Sequence, residues 1–167
     1  SVARDRLRNL PAVQQVAAEM LQEAVALFDR LVEDPRQGDR VAMLRIAAWM
    51  RLSEIEAALG DSQAATAAAR HAVVALGDAP MPPSESLRRA TARRQLASNL
   101  FESGETQQAA SFAALAHADL LVAARDPALA AAQARELGLC FGVDAALALA
   151  AGDVAATERA QREAVLA

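Results

Sequence analysis

Alanine occupies 45 of the 167 positions of this chain, and no other feature limits its possible folds so strongly. Alanine has the highest intrinsic helix propensity, because it loses no side-chain entropy in a helix and buries no polar group. Aromatic residues make up only 3% of the sequence, and Val, Ile and Thr form no alternating runs. We therefore expect an all-α protein.

The charge composition argues against nucleic acid as a partner. The net charge is -4, and the 17 basic residues are all arginines, interspersed with 21 acidic residues along the chain. The single cysteine, Cys140, cannot form an internal disulfide, so we expect a reducing compartment and a cytoplasmic location. The longest apolar stretch, residues 137–151, is too short to span a bilayer and contains Asp144, so we expect no membrane contact.

Hydrophobic periodicity divides the chain into a leading helix and three helical hairpins. Residues 1–38 contain the leading helix, which ends near Asp34, because Pro35 disfavours helical geometry in the residue before it. Its predicted inner face has apolar residues three and four apart: Val13, Val16, Ala17, Met20, Leu21, Ala24, Phe28, Leu31 and Val32. The hairpins cover residues 39–83, 84–125 and 126–167. We expect these seven helices to form one domain, and this domain to be part of a larger protein.

Glycines mark the turns of the three hairpins. Gly60, Gly104 and Gly152 each follow an apolar helical pattern and precede an acidic residue, and they lie 44 and 48 residues apart. Between the first two hairpins, the proline-rich segment 78–83 predicts a loop. Asp126 followed by Pro127 predicts a helix start, since Asp caps free amides and proline lacks only a donor that the first turn does not use.

The residues around these glycines resemble the tetratricopeptide repeat, in which a large residue, a Leu and several small residues recur on two helices. The matching residues of the first copy are Trp49, Leu52, Ser53, Ala65, Ala69 and Ala72, and those of the second are Leu96, Ala97, Ala109, Ala113 and Ala116. In the second copy, Arg93 stands where the pattern has a large aromatic residue. The third copy keeps Phe141, Ala145 and Ala164 but has Asp144 in place of the Leu, and Thr157 and Gln161 in place of alanines. The spacing exceeds the usual repeat of about 34 residues.

This resemblance implies antiparallel hairpins stacked as a short right-handed α-solenoid, with a groove lined by the first helix of each hairpin. The residues that the resemblance places in a partner-binding groove are Met50, Glu54, Arg94, Ser98 and Phe101. The alternative is that Met50 and Phe101 pack beneath a neighbouring hairpin while the charged residues face solvent. The charge clamp typical of the family is not supported, since Met50 and Arg94 are followed one turn later by Glu54 and Ser98 instead of asparagine.

Four arginines form the densest basic patch: Arg88, Arg89, Arg93 and Arg94. Arg89 and Arg93 lie one turn apart, so they could bind a carboxylate or a phosphate together. The patch has no aromatic residues for stacking on bases, and the whole chain is acidic. We therefore favour an ordinary solvated helix face.

The residues capable of catalysis or metal binding occur singly. His71 and His117 lie on different hairpins and lack metal-binding spacing. Cys140 lies between Leu139 and Phe141, which is typical of a buried structural thiol. We expect no catalytic activity, no metal and no cofactor.

Together these patterns predict a non-catalytic protein interaction scaffold that binds a peptide or a partner helix. Self-association through an uncapped end of the array is also open. An alternative is a regulatory or oligomerising arm of a larger bacterial signalling protein, such as a serine/threonine kinase, since the sequence begins with Ser instead of Met. The expectation of a bacterial origin comes from the alanine and arginine bias, which resembles that of high-GC bacteria. A helical enzyme would instead require a buried pocket with converging polar groups.

Overall fold

The computed structural model describes residues 11–32 and 38–166, and the regular elements in these ranges are all helical. This confirms the predicted all-α fold, with seven α-helices in the described part of the chain. The helices are α1 (Pro11–Val32), α2 (Gly38–Leu59), α3 (Ser62–Leu76), α4 (Pro83–Glu102), α5 (Thr106–Ala123), α6 (Ala130–Ala150) and α7 (Val154–Leu166). A 3-10 turn, Pro127–Leu129, precedes α6. The predicted end of the first helix near Asp34 lies outside the described residues.

The helices belong to two compact units, Ser1–Leu76 with α1 to α3 and Gly77–Ala167 with α4 to α7. The division falls at the start of the predicted proline-rich loop, where Pro80 and Pro82 lie outside helices. Because proline lacks an amide hydrogen and restricts the residue before it, this segment cannot continue α3.

The same backbone turn closes the hairpins α2/α3, α4/α5 and α6/α7. In the second hairpin, the amide of Gly104 donates to Phe101 O at 3.0 Å, and the amide of Glu105 donates to Leu100 O at 2.8 Å. This is a Schellman turn, which satisfies carbonyls at the end of a helix. Corresponding bonds occur at Gly60 and Gly152. The predicted hairpin turns are therefore confirmed.

The acidic residue after each glycine begins the next helix, so the turns stay short. Asp61 Oδ1 accepts from the amide of Ala64 at 2.9 Å, and Asp153 Oδ1 accepts from that of Ala156 at 2.8 Å. These are side-chain caps, which satisfy amides that the first helical turn leaves free. Asp126 caps the 3-10 turn in the same way, with Oδ1 3.0 Å from the amide of Ala128, as its position before Pro127 predicts.

Replacing Gly104 with alanine is expected to destabilise the fold by about 1–2 kcal/mol, because φ is +82° and a Cβ is disfavoured in that conformation. The matched control is Gly142→Ala. Gly142 lies exposed inside α6, with free space where a Cβ would lie. Alanine there is therefore expected to raise the free energy of unfolding by about 0.5–1 kcal/mol. Urea unfolding of both variants measures the difference. If both variants changed the free energy of unfolding by the same amount in the same direction, the turn assignment would be contradicted.

Small side chains bring the helices of each unit close together. In the N-terminal unit, a core cluster joins Ala18 of α1 to Leu52 and Ile55 of α2 and Ala68 of α3. In the C-terminal unit, two clusters join α4, α5 and α6: one contains Ala90, Ala116, Leu120 and Cys140, and the other contains Ala97, Ala113 and Val143. Helix α6 thus packs on both helices of the preceding hairpin, which is the contact that stacked hairpins require.

Candidate functional site

An open groove of about 590 Å³ runs between α1 and α2 in the N-terminal unit. Its apolar lining comes from both helices: Val13, Ala17, Met20, Leu21, Ile55 and Ala58. Its polar lining is Gln14, Arg51 and Glu54, of which Arg51 and Glu54 form an ion pair one turn apart on α2. The groove therefore offers mainly apolar contact, with charge at one wall.

A stripe of exposed apolar residues on α1 borders this groove. It consists of Val13, Val16, Met20 and Leu27, whose exposed fractions are 44%, 55%, 66% and 53%. The prediction that Val13, Val16 and Met20 face inward is therefore wrong. Among the described side chains of α1, Ala18 and Val25 are buried, and Ala18 packs with Leu52 and Ile55 of α2. The side chains of Phe28, Leu31 and Val32 lie outside the described residues.

Two of the five predicted partner-binding residues lie on α2. Glu54 is exposed and lines the groove beside Arg51. Met50, one turn earlier, is half-buried. The structure thus places one predicted residue in the wall of a groove that is formed with α1, which lies outside the repeat resemblance.

The other three predicted residues, Arg94, Ser98 and Phe101, follow one side of α4 in the C-terminal unit and are all half-buried. The Nε of Arg94 donates to Oε1 of Glu136, a buried carboxylate on α6. Arg94 therefore already connects two helices, and its role as a partner contact stays a prediction together with those of Ser98 and Phe101.

The basic patch is not a solvated face at Arg89 and Arg93, which are 6% and 4% exposed, so that prediction is wrong for these two residues. Arg89 Nε and Nη2 both donate to the carboxylate of Asp119, at 2.7–3.1 Å. Its Nη1 donates to the carbonyls of Gly77 at 3.0 Å and Ala79 at 2.8 Å. The arginine thus fastens the loop after Leu76 to the helices of its own unit.

Arg93 binds the same buried carboxylate from the next turn of α4. Its Nη1 donates to Oδ2 of Asp119 at 2.7 Å, and its Nη2 donates to Oδ1 of Asp78 in the loop. Its Nε is buried and has no hydrogen-bond partner. We call Arg89, Arg93, Asp119 and Asp78 the arginine cluster. Its sequence signal is Asp119, an acid placed between the inward positions Ala116 and Leu120 of α5.

Two histidine contacts lie outside these sites. His117 Nε2 is 2.7 Å from Oδ2 of Asp144, and its ring also contacts Phe141, so the pair joins α5 to α6. On the N-terminal unit, His71 stacks on Trp49 with ring centroids 4.4 Å apart, at a recess of about 320 Å³. Each histidine has a packing role.

Cys140 is buried, as its apolar sequence context predicts. Burial, the nearby Glu136 carboxylate and, to a lesser extent, Asp144 raise the pKa of the thiol to about 12, against the opposing effect of Arg94. The thiol is therefore protonated near neutral pH, which makes it a poor nucleophile.

Residues 11–32 and 38–166 contain no group of three or more His, Cys, Asp and Glu side chains placed to hold a metal ion. Within the same ranges, no helix has both the length and the apolar character needed to cross a bilayer.

The residues that carry the tetratricopeptide resemblance are mostly packing residues. Leu52, Ala65 and Ala69 are buried in the first copy, and Leu96 and Ala113 are buried in the second. Two departures from the pattern instead make polar contacts: Arg93 in the arginine cluster and Asp144 with His117. Comparisons with protein-family models, with curated proteins and with solved structures give no match, so the resemblance stays a prediction from these residues.

Proposed function

We propose that this chain is a non-catalytic interaction module whose N-terminal unit binds an amphipathic helix of a partner protein along α1. The observation that carries the proposal is the exposed stripe of Val13, Val16, Met20 and Leu27 beside the groove. Several exposed apolar side chains on one side of a helix are typical of an interaction surface, because covering them removes apolar area from water.

The spacing of the stripe favours a helix as the occupant. Successive members are three, four and seven residues apart, which is the heptad spacing that places side chains along one helix-facing seam. A partner helix would insert its own apolar residues between those of α1. Its flank would then reach the apolar floor formed by Ala17, Leu21 and Ile55.

Charge along the stripe favours a partner helix with basic residues at one edge. Glu19 and Glu23 are exposed, lie one turn apart on α1 and follow one side of the stripe. Glu23 also takes the heptad position between Met20 and Leu27, so a basic residue of the partner would pair with it there. Lysine or arginine on the partner would complement these carboxylates and would speed association more than it would raise affinity.

Contact mapping identifies the partner segment. A photo-crosslinking phenylalanine analogue is placed at Val16 and, as a control, at Val74, which is 79% exposed on α3. The crosslinking residue at position 16 is expected to capture a segment with apolar residues three and four apart and basic residues beside them. That segment is then synthesised as a peptide. Its circular dichroism is expected to show helix formation on binding.

Replacing Met20 with aspartate is expected to weaken binding of that peptide by about tenfold or more, because a carboxylate would be buried in an apolar contact. Titration calorimetry measures the affinity. The matched control is Val74→Asp, which adds the same charge at an exposed apolar position on α3.

Equal affinities of these two variants would refute the docking site on α1, and an extended captured segment would refute the helical occupant. Crosslinks that join two copies of the chain, together with a dimer in sedimentation equilibrium, would show that the stripe mediates self-association instead of binding a partner protein. The predicted surface of α4 is tested separately with Ser98→Arg and Phe101→Ala. Arg94→Glu would be misleading there, since it places a second carboxylate beside buried Glu136.

A further inference from the structure

The arginine cluster contains a binding edge that is only half used. The Nε and Nη2 hydrogens of a guanidinium lie on one edge and can bind one carboxylate together. Arg89 uses this edge fully, since both of its atoms donate to Asp119. In Arg93, Nη2 donates to Oδ1 of Asp78, while Nε is buried without a partner. A buried donor without an acceptor is unfavourable, so Asp78 is an imperfect occupant.

The charges of the cluster also leave room for an outside anion. Arg89, Arg93 and Asp119 are all buried, so the buried part carries one excess positive charge. Asp78 compensates that charge, yet its side chain is 90% exposed, whereas that of Arg93 is 5% exposed. Asp78 therefore approaches the arginine from the solvent side. A carboxylate that arrives from solvent meets Nη2 of Arg93 at the position of Asp78.

Exchange of Asp78 does not require the loop to open. Arg89 Nη1 holds the backbone carbonyls of Gly77 and Ala79, the residues on either side of Asp78. Rotation of the Asp78 side chain alone releases Nη2 of Arg93, and rotation of an exposed side chain is fast. The backbone of the site stays in place during the exchange.

We propose that Arg93, supported by Arg89, forms a carboxylate-binding site in which Asp78 is an exchangeable internal occupant. An outside carboxylate replaces Asp78 and accepts hydrogen bonds from both Nε and Nη2. A carboxylate matches the single charge that Asp78 supplies, whereas a doubly charged phosphate would leave the cluster negative. Because Asp78 is tethered, it competes with an outside carboxylate for Arg93 at an effective concentration in the millimolar range. The outside carboxylate must therefore bind more tightly than Asp78, through the second hydrogen bond.

Acetate is the probe, and Asp78→Ala removes the internal competitor. In this variant, acetate is expected to raise the melting temperature by roughly 2–4 °C above chloride at equal ionic strength. The Nε–H resonance of Arg93 in a ¹H–¹⁵N spectrum is expected to shift with the same saturation curve. The wild-type chain is expected to need at least about tenfold more acetate for the same resonance shift.

The control is Glu102→Ala, which removes an exposed carboxylate from the end of α4 in the same unit. An equal acetate effect in this control, or an unmoved Arg93 Nε–H resonance in both the wild type and Asp78→Ala, would overturn the proposal. The wild-type titration decides the question if Asp78→Ala does not fold. A response to phosphate but not to acetate would refute the carboxylate assignment.

A second probe distinguishes the two sources of a carboxylate. The blocked peptide acetyl-Gly-Asp-Gly-amide carries its only carboxylate on a side chain. Tighter binding of this peptide than of acetate would support an acidic side chain of a partner protein, and tighter binding of acetate would support a free small carboxylate. Binding of neither probe to Asp78→Ala would overturn the site.

Discussion

Replacing Asp119 with alanine is expected to destabilise the C-terminal unit by about 3–5 kcal/mol, the typical effect of breaking a buried ion pair from one side. Asp119 is 3% exposed and accepts hydrogen bonds from Arg89 and Arg93, which are themselves buried. Its removal leaves Asp78 as the remaining carboxylate of the cluster. Two buried guanidinium groups would then share one exposed carboxylate. Urea unfolding followed by circular dichroism measures the loss.

Two further variants distinguish charge compensation from packing at this position. Asp119→Asn keeps an acceptor oxygen but loses the charge, so its effect is expected to lie between those of the wild type and Asp119→Ala. The triple variant Arg89→Met, Arg93→Met, Asp119→Leu removes all three buried charges together and is expected to recover most of the loss, because no buried charge stays unpaired. A loss below about 1 kcal/mol for Asp119→Ala would show that solvent compensates the arginines.

The hairpin turns could be predicted because they depend on local rules. Gly104 adopts a positive φ that other residues disfavour, and the residue after it begins the next helix in the same stretch of chain. Asp126 before Pro127 is equally local, since the capping oxygen and the amide that it accepts from are two residues apart. Such features need no information about distant parts of the chain.

The orientation of α1 could not be predicted in the same way. Its apolar residues cover a broad part of the helix surface, and periodicity does not indicate which part a neighbouring helix will cover. Helix α2 packs on the side that carries Ala18, and Val16 and Met20 are left exposed. Which side of α1 is covered depends on tertiary packing. The groove was therefore missed, although Glu54 in its wall was among the predicted contacts.

The arginine cluster was missed for a different reason. Charged residues are mostly exposed, so a run of arginines on one helix is typical of a solvated face. This rule fails when a carboxylate from another helix lies within reach, and here Asp119 on α5 pairs with Arg89 and Arg93 on α4. The available signals were Asp119 at an inward position and Arg93 at an aromatic position of the repeat pattern.

Replacing Ala116 with leucine is expected to destabilise the C-terminal unit by about 1–3 kcal/mol, although leucine is apolar and a good helix former. Ala116 is fully buried where α4, α5 and α6 meet, packed with Ala90, Leu120 and Cys140. Because protein interiors are close-packed, the larger side chain must push the helices apart or adopt a strained rotamer. Urea unfolding measures the stability.

The control Ala114→Leu makes the same chemical change on the exposed side of α5, where the effect is expected to stay within about 0.5 kcal/mol. The contrast tests how alanine works in this chain, because helix propensity is common to both positions and close helix contact applies only to position 116. If both leucine variants were equally stable, helix propensity alone would explain the alanine content. The hairpins would then not need small residues where they meet.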